Sequence, residues 1–395
     1  MIYVYIGTAS SDEDIKKNFS KTARNKIVYV QQKWDYIFYK AIEEVSNNHS
    51  VCLSYPPVQT FPVGKCLLIK RTSIHGINNG IYIPTINLPI IKQAFAIVRV
   101  LRELIRVGKS DDLAIITHTL YFQSIVAARI YKKLFKKNTV IVSLVPDLPD
   151  YSTSEKLSYS KLNSGLFNIY KKISESMKGK VDGYVCFSEL QMEKLDSKKP
   201  YIVMEGFSID SVGDLNARSL NNPSRRVYFY AGNLKNDSGV LNFAKAFIGA
   251  NIGNSELVIC GEGEQKKLIE ELKCPRIRLL GVLPKDKVLE LEMKAYALIN
   301  PRPVEENYAK YSFPSKLLEY MSTGTPVITT HLLSIPREYD DFLYYIDDTS
   351  IEGMKSALQN IDVDKNRGTR AREFVLSEKS PKAQAERVIK YVKSI

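Results

Sequence analysis

The stretch from Asn300 to Pro326, NPRPVEENYAKYSFPSKLLEYMSTGTP, joins two short apolar strand signals, Ala297–Asn300 and Pro326–Thr329, through a polar loop and one helical run. Pro314 suits the first turn of that helix, Ser312 its cap and Gly324 its end. The loop therefore delivers a helix N-terminus to the carboxyl end of a strand, where backbone N–H groups and the positive dipole end favour a phosphate, near Ser315. Lys316 in the first turn adds a mobile charge. Glu319, one turn further on the same face, is placed to accept from sugar hydroxyls. Read alone, an ordinary capped helix with an i, i+3 Lys–Glu pair has the same sequence form.

Outward from this segment, apolar runs and helical patterns alternate: strands at Val227–Ala231, Glu256–Cys260 and Arg276–Leu280, helices at Gly239–Phe247, Gly263–Leu272, Lys285–Lys294 and Pro314–Met321. Such alternation is the sequence form of parallel β-α-β units. Glycines punctuate the strand ends at Gly232, Gly261 and Gly281, so several turns of one domain converge on one sheet edge.

The first half repeats the scheme, with strands expected at Ile2–Ile6, Ser50–Tyr55, Lys65–Ile69, Leu113–Thr117, Val140–Leu144 and Gly183–Phe187. Helices are expected at Trp34–Ser46, Pro89–Val107, Phe122–Phe135 and Ser160–Met177. Between the halves, Gly206–Arg226 is poor in large apolar residues and rich in Ser, Asn, Asp and Gly. The expected organisation is α/β, with two doubly wound parallel sheets. Residues 1–210 form one Rossmann-like domain, 211–226 a linker and 227–380 a second such domain. A final helix, 381–395, packs back on either domain, the N-terminal one being the expected site. A ligand belongs at the carboxyl ends of the strands.

The chain has 395 residues, 44% of them hydrophobic, and a formal net charge of +13. That length excludes a small stapled module. The basic excess suits nucleic acid, an anionic membrane face or a phosphorylated ligand, and charge alone does not choose. The five cysteines form no C-x-x-C pair, against a disulfide framework or structural zinc and in favour of a cytoplasmic location. The opening strand lacks the pattern of a secretory leader. Leu88–Val107 carries Lys92, Arg99, Arg102, Glu103 and Arg106, too many charges for a spanning helix.

From about Val227 to Thr330 the sequence resembles the donor-binding domain of glycosyltransferase family 4, two-domain GT-B enzymes in which the domains face a central cleft. The likeness lies in Tyr-Ala-Gly-Asn at 230–233, Val-Ile-Cys-Gly-Glu-Gly at 258–263, Leu-Leu-Gly-Val-Leu at 279–283, and Ser312 to Pro326. It is similar in particular to bacterial enzymes building capsule, exopolysaccharide or O-antigen units. The resemblance implies a retaining transfer from a nucleotide-diphosphate sugar, UDP- or GDP-linked, to a lipid-linked or oligosaccharide acceptor. No general base from the protein is implied, since the leaving phosphate can take the acceptor's proton. It also makes 1–210 the acceptor half and 227–380 the donor half.

Residue by residue, the second glutamate of the family's E-x7-E motif falls on Glu319, expected at the ribose, while the first falls on Tyr311. Positions where the family tends to place Arg and Lys for the diphosphate read Asn233 and Ser238, which moves the weight to Lys316 and Arg302, with Lys235 as a substitute. Gly232, Gly261 and the Val282-Leu283 backbone border the nucleotide, and Tyr311, Ser312, Phe313, Pro314 and Ser315 line the donor loop. Asp147, after Val140–Leu144, stands near the transferred sugar, though Asp-Leu-Pro is equally a turn. Gly7, Thr8 and His118 are acceptor-side candidates, and a lone strand-end His is more often a structural hydrogen-bonder.

No metal or other cofactor is expected. The basic runs Lys132, Lys133, Lys136, Lys137 and Lys161 to Lys180 suit solvated helix faces or a peripheral contact with an anionic inner membrane leaflet. Nucleic acid is disfavoured, with no aromatic-interleaved basic stretch. The replacements at Tyr311, Asn233 and Ser238 also keep open a non-catalytic GT-B partner that binds or activates another transferase.

Overall fold

Strand pairing in a computed structural model sorts the chain into two parallel-sheet units. The structure describes all residues except 21–28, 110, 136–137, 149–167, 170–171, 197, 211, 213–224 and 306. Most of the expected linker 211–226, much of the expected helix Ser160–Met177, and Lys136, Lys137, Asp150, Lys161 and Lys171 lie outside the described residues.

The first unit comprises Met1–Phe187, Gln191–Met204 and Pro381–Ile395. Its strands are β1 (Ile2–Gly7), β2 (Ser50–Ser54), β3 (Leu68–Ile69), β4 (Thr72–Ser73), β5 (Gly80–Tyr82), β6 (Thr85–Ile86), β7 (Leu113–His118), β8 (Val140–Val145), β9 (Gly183–Cys186) and β10 (Tyr201–Val203). Its longer helices are α1 (Val30–Val45), α2 (Ile91–Val107) and α3 (Phe122–Phe135). Among the described residues the main sheet runs β10-β9-β8-β7-β1-β2-β5-β4, parallel except for β4 against β5. Every residue of β7 is buried, which is why the strand reads as an unbroken apolar run and not as an alternation.

One expected strand is corrected. Within Lys65–Ile69 only Leu68 and Ile69 are extended, and they pair antiparallel with β6 in a separate two-stranded sheet. Lys65, Leu67 and Leu68 are exposed, so this run has no buried face, and β5 takes the place beside β2.

The second unit comprises Ser188–Leu190 and Glu205–Ser380. It contains β11 (Arg226–Ala231), α4 (Val240–Ala250), β12 (Ser255–Cys260), α5 (Lys266–Glu270), β13 (Ile277–Gly281), α6 (Lys285–Lys294), β14 (Ala297–Asn300), α7 (Lys316–Ser322), β15 (Val327–Thr330), β16 (Leu343–Ile346), α8 (Ile351–Asn360) and α9 (Lys365–Glu378). All pairings are parallel, in the order β13-β12-β11-β14-β15-β16. The period of two along the strands divides two cores. Tyr228, Tyr230, Leu257 and Ile259 pack with Phe243 and Phe247 of α4 and Leu358 of α8. Phe229, Ala231, Val258 and Cys260 pack with Leu317 and Met321 of α7 and Val375 of α9 on the opposite face. Each fully buried large side chain contributes about 1.5–3 kcal/mol, so helices are held on both faces.

The last helix, α10 (Pro381–Ser394), belongs to the first unit. Its Tyr391 hydroxyl donates to the Pro200 carbonyl at 2.6 Å and accepts from the Tyr184 N–H at 3.1 Å, and Lys382 pairs with Glu44 of α1.

Candidate functional site

In the second unit the chain proceeds from β11 outward through β12 to β13, then returns to place β14 on the other side of β11. The carboxyl ends of β11 and β14 therefore flank the switch point where doubly wound sheets bind ligands. Gly232 and Gly261 stand in a row there, the Gly232 N–H donating to the Cys260 carbonyl at 2.9 Å and the Gly261 N–H to the Gly281 carbonyl at 2.8 Å. Gly261 has φ +145°, and a Cβ on it would lie 1.8 Å from the Gly232 oxygen, so no side chain fits. Across the switch point, a Cβ on Gly239 would lie 1.8 Å from the Pro301 oxygen, which fixes how closely the loop after β11 approaches the loop after β14.

The loop after β14 is tied down at both ends. The buried Asn300 side chain donates to Thr329 Oγ1 at 2.9 Å, and the Thr330 hydroxyl donates to the Arg302 carbonyl at 2.5 Å. Phe313 is buried against Tyr339, with ring centroids 5.4 Å apart. The helix begins later than its sequence suggests. Ser315 occupies the N-cap position with no side-chain cap, so Ser312 stands three residues ahead of the cap, and the Pro314 carbonyl accepts from the Leu317 N–H at 2.8 Å. The buried Phe313 and Pro314 hold this segment in a turn. With only seven residues in α7, the charged side chain matters more than the helix dipole.

Lys316 and Glu319 do share a face: Lys316 Nζ lies 3.1 Å from Glu319 Oε2 and 5.4 Å from the Tyr320 ring centroid. Both pair members are about one-third exposed, which leaves the ammonium able to exchange its carboxylate for an incoming anion. The Tyr320 hydroxyl accepts from the Ala231 N–H at 2.9 Å and donates to the Ala231 carbonyl at 3.2 Å, pinning α7 to the end of β11. Burial, the largest influence, pushes that hydroxyl well above its ordinary range.

Behind the pair lies Glu292 of α6, 1% exposed. Burial pushes its carboxyl up to about 7, Lys316 pulling it down, Glu319 pushing it up and Lys285 pulling it down. Sequence reading missed Tyr320 and Glu292. Glu292 follows the buried Leu289 by three residues, so a carboxylate in the core register of α6 was the available signal.

Of the remaining donor-side candidates, Asn233 and Lys235 are exposed after β11, and the Asn233 carbonyl accepts from the Tyr230 hydroxyl at 2.9 Å. Ser238 lies with its hydroxyl 3.5 Å from Gln265 Oε1. Val282 is exposed and Leu283 half-buried after β13, while Tyr311, Ser312 and Arg302 are half-buried and Ser315 is exposed. Farther along the same edge, a cavity of about 280 Å³ is lined by Lys310, His331, Asp347 and apolar neighbours, none of them an expected site residue.

In the first unit, β1 and β7 flank the corresponding switch point, and Gly7, Thr8 and His118 meet there around Asp35 of α1. The fully buried Asp35 carboxylate accepts from the Thr8 N–H at 2.6 Å, the Thr8 hydroxyl at 2.9 Å and the Tyr5 hydroxyl at 2.8 Å, and lies 2.7 Å from His118 Nδ1. A Cβ on Gly7 would lie 2.7 Å from Asp35 Oδ2, so glycine is what admits the carboxylate. His118 is 2% exposed and held by this network. Asp147 is exposed beyond β8.

Residues 225–361 match the model of the family described as glycosyl transferases group 1. A search of the curated proteins finds no match. Among solved structures, the chain is similar to the lipopolysaccharide outer core galactosyltransferase WaaB in its apo form, with TM-score 0.63 and 15% identity, covering 100% of this chain and 99% of that one. It is similar to sucrose-phosphate synthase from Thermosynechococcus elongatus, with TM-score 0.62 and 12% identity over 100% and 99% of the two chains. It is also similar to Anabaena HepE in complex with UDP, with TM-score 0.57 and 10% identity over 100% of both. At these identities the likeness is one of fold. Residues 225–361 thus match the glycosyl transferases group 1 model, and the chain has the two-sheet GT-B fold.

Proposed function

We propose that the protein transfers a sugar, with retention, from a nucleotide-diphosphate donor to a lipid-linked or oligosaccharide acceptor in the building of a bacterial surface polysaccharide. The observation that carries the donor half is the Lys316–Glu319 pair, held by Tyr320 at the glycine-lined end of β11. Lys316 exchanges Glu319 for a donor phosphate, and the freed carboxylate accepts from the ribose hydroxyls. Arg302 adds a second cation from the loop after β14, and Asp147 stands on the acceptor side. The UDP bound by HepE supports a nucleotide of this class.

In the transfer, the bond between the sugar carbon and the leaving phosphate oxygen breaks as the bond to the acceptor oxygen forms. The acceptor's proton passes to the leaving phosphate, whose charge Lys316 stabilises. No metal is required in this scheme.

A peripheral seat on the inner face of the plasma membrane is supported by α2, where Ile91, Val98 and Ile105 recur every seven residues and are 48%, 62% and 36% exposed. Exposed Arg102 and Arg106 lie on the same helix. Among the described residues no helix is long and apolar enough to cross a membrane.

The test is nucleotide release from UDP- and GDP-sugars with and without lipid-linked acceptor. Release that depends on acceptor supports the transferase. Donor binding without release or transfer supports the second reading, a non-catalytic partner, which the replacements at Tyr311, Asn233 and Ser238 favour.

A further inference from the structure

Six carboxylates are buried among the described residues: Asp14, Asp35, Glu43, Glu205, Glu256 and Glu292. Five of them meet donors or cations, Asp14 the His75 N–H, Asp35 the Thr8 N–H, Glu43 Lys40, Glu205 Lys379 and Glu256 Arg278. Glu292 differs. Its Oε1 is buried with no hydrogen-bond partner among the described residues. As an anion it would lack the hydrogen bonds that make a buried charge tolerable. The charged and titratable groups that face it are Lys285 on its own helix, Lys316, Glu319 and Tyr320 on α7, and Cys260 at the end of β12. They are the groups on which donor binding is proposed to depend, and the carboxyl, pushed up mainly by burial to about 7, changes charge near neutral pH.

We propose that Glu292 is a positioning residue beneath the donor site: as the neutral acid it leaves Lys316 to the donor phosphate, and as the carboxylate it draws Lys316 inward and repels the phosphate. This role presupposes the donor phosphate at Lys316 set out above. An anion arriving beside Lys316 disfavours a second negative charge below it, so donor binding takes up a proton from solvent at Glu292 and tightens as pH falls.

UDP-glucose and GDP-mannose are the probes, because their diphosphate is esterified at both ends and, unlike a terminal phosphate, has no proton to lose near neutral pH. Calorimetry at pH 6 and pH 8, in buffers of different ionisation enthalpy, should show net proton uptake and a Kd weaker at pH 8 by about fivefold. Glu292→Gln, with its fold checked by Tm, should keep the pH 6 affinity at pH 8. Binding with no proton uptake and a flat pH dependence in the wild type overturns this role and leaves the donor site standing. So does a pH dependence that survives in Glu292→Gln. If neither probe binds at either pH, the donor reading fails and this role falls with it.

Discussion

Lys316 carries most of the proposed chemistry because it is a one-third exposed cation at the start of α7 whose partner, Glu319, can be exchanged for an anion. Losing one charge-assisted contact to a leaving phosphate costs about 2.7–4 kcal/mol in comparable sites, so Lys316→Ala should lower turnover by about a hundredfold or more with the fold intact. Steady-state kinetics beside a melting curve checks this, and unchanged kcat removes Lys316 from the reaction. Gly261→Ala should lower Tm and weaken nucleotide binding together, because its Cβ would strike the Gly232 oxygen at a φ that L residues rarely adopt. Lys316 and Glu319 were legible in the sequence because their relation is local, three residues on one helix. The hydrogen bonds that organise each site were not: Tyr320 reaches Ala231 across 89 residues and Tyr5 reaches His118 across 113. Nothing in a linear pattern announces such partners.

Among the elements, strands buried on both faces were legible as apolar runs, and α6 and β14 have the bounds their patterns imply. Short strands toward the sheet margins were not. β16 has a half-buried Tyr-Tyr centre and β5 only three residues, too little for periodicity to register. The start of α7 was misplaced because Ser312 and Pro314 satisfy local cap preferences, whereas the burial of Phe313 decides where the helix begins. Tyr320→Phe should remove the tie between α7 and β11 and leave the Ala231 N–H without that acceptor, at a cost of about 1–3 kcal/mol in urea unfolding. Glu292 adds a pH dependence of stability. Its carboxyl is raised in the folded state, so its stabilisation is full below the unfolded carboxyl range and is lost as pH rises to about 7. The urea midpoint should therefore fall from pH 5 to pH 8, and Glu292→Gln should reduce that fall.

For the whole molecule, two parallel-sheet units were expected from the alternation of strands and helices, and the fold bears them out; the resemblance carried by Val227 to Thr330 implied a glycosyltransferase donor domain, and residues 225–361 match the glycosyl transferases group 1 model. The proposed membrane contact is also tested on the whole molecule. On liposomes with an anionic lipid, the protein should co-float at low salt, and Val98→Asp should reduce the bound fraction severalfold. Equal flotation of the variant would remove α2 from that contact. The central claim is the donor site, and it is tested most directly by calorimetric titration of the folded protein with UDP, GDP, ADP and CMP and their sugar conjugates. One diphosphate nucleotide should bind selectively, at least tenfold more weakly to Lys316→Ala, by the same charge-assisted contact. A folded wild-type protein that binds none of them would contradict the account.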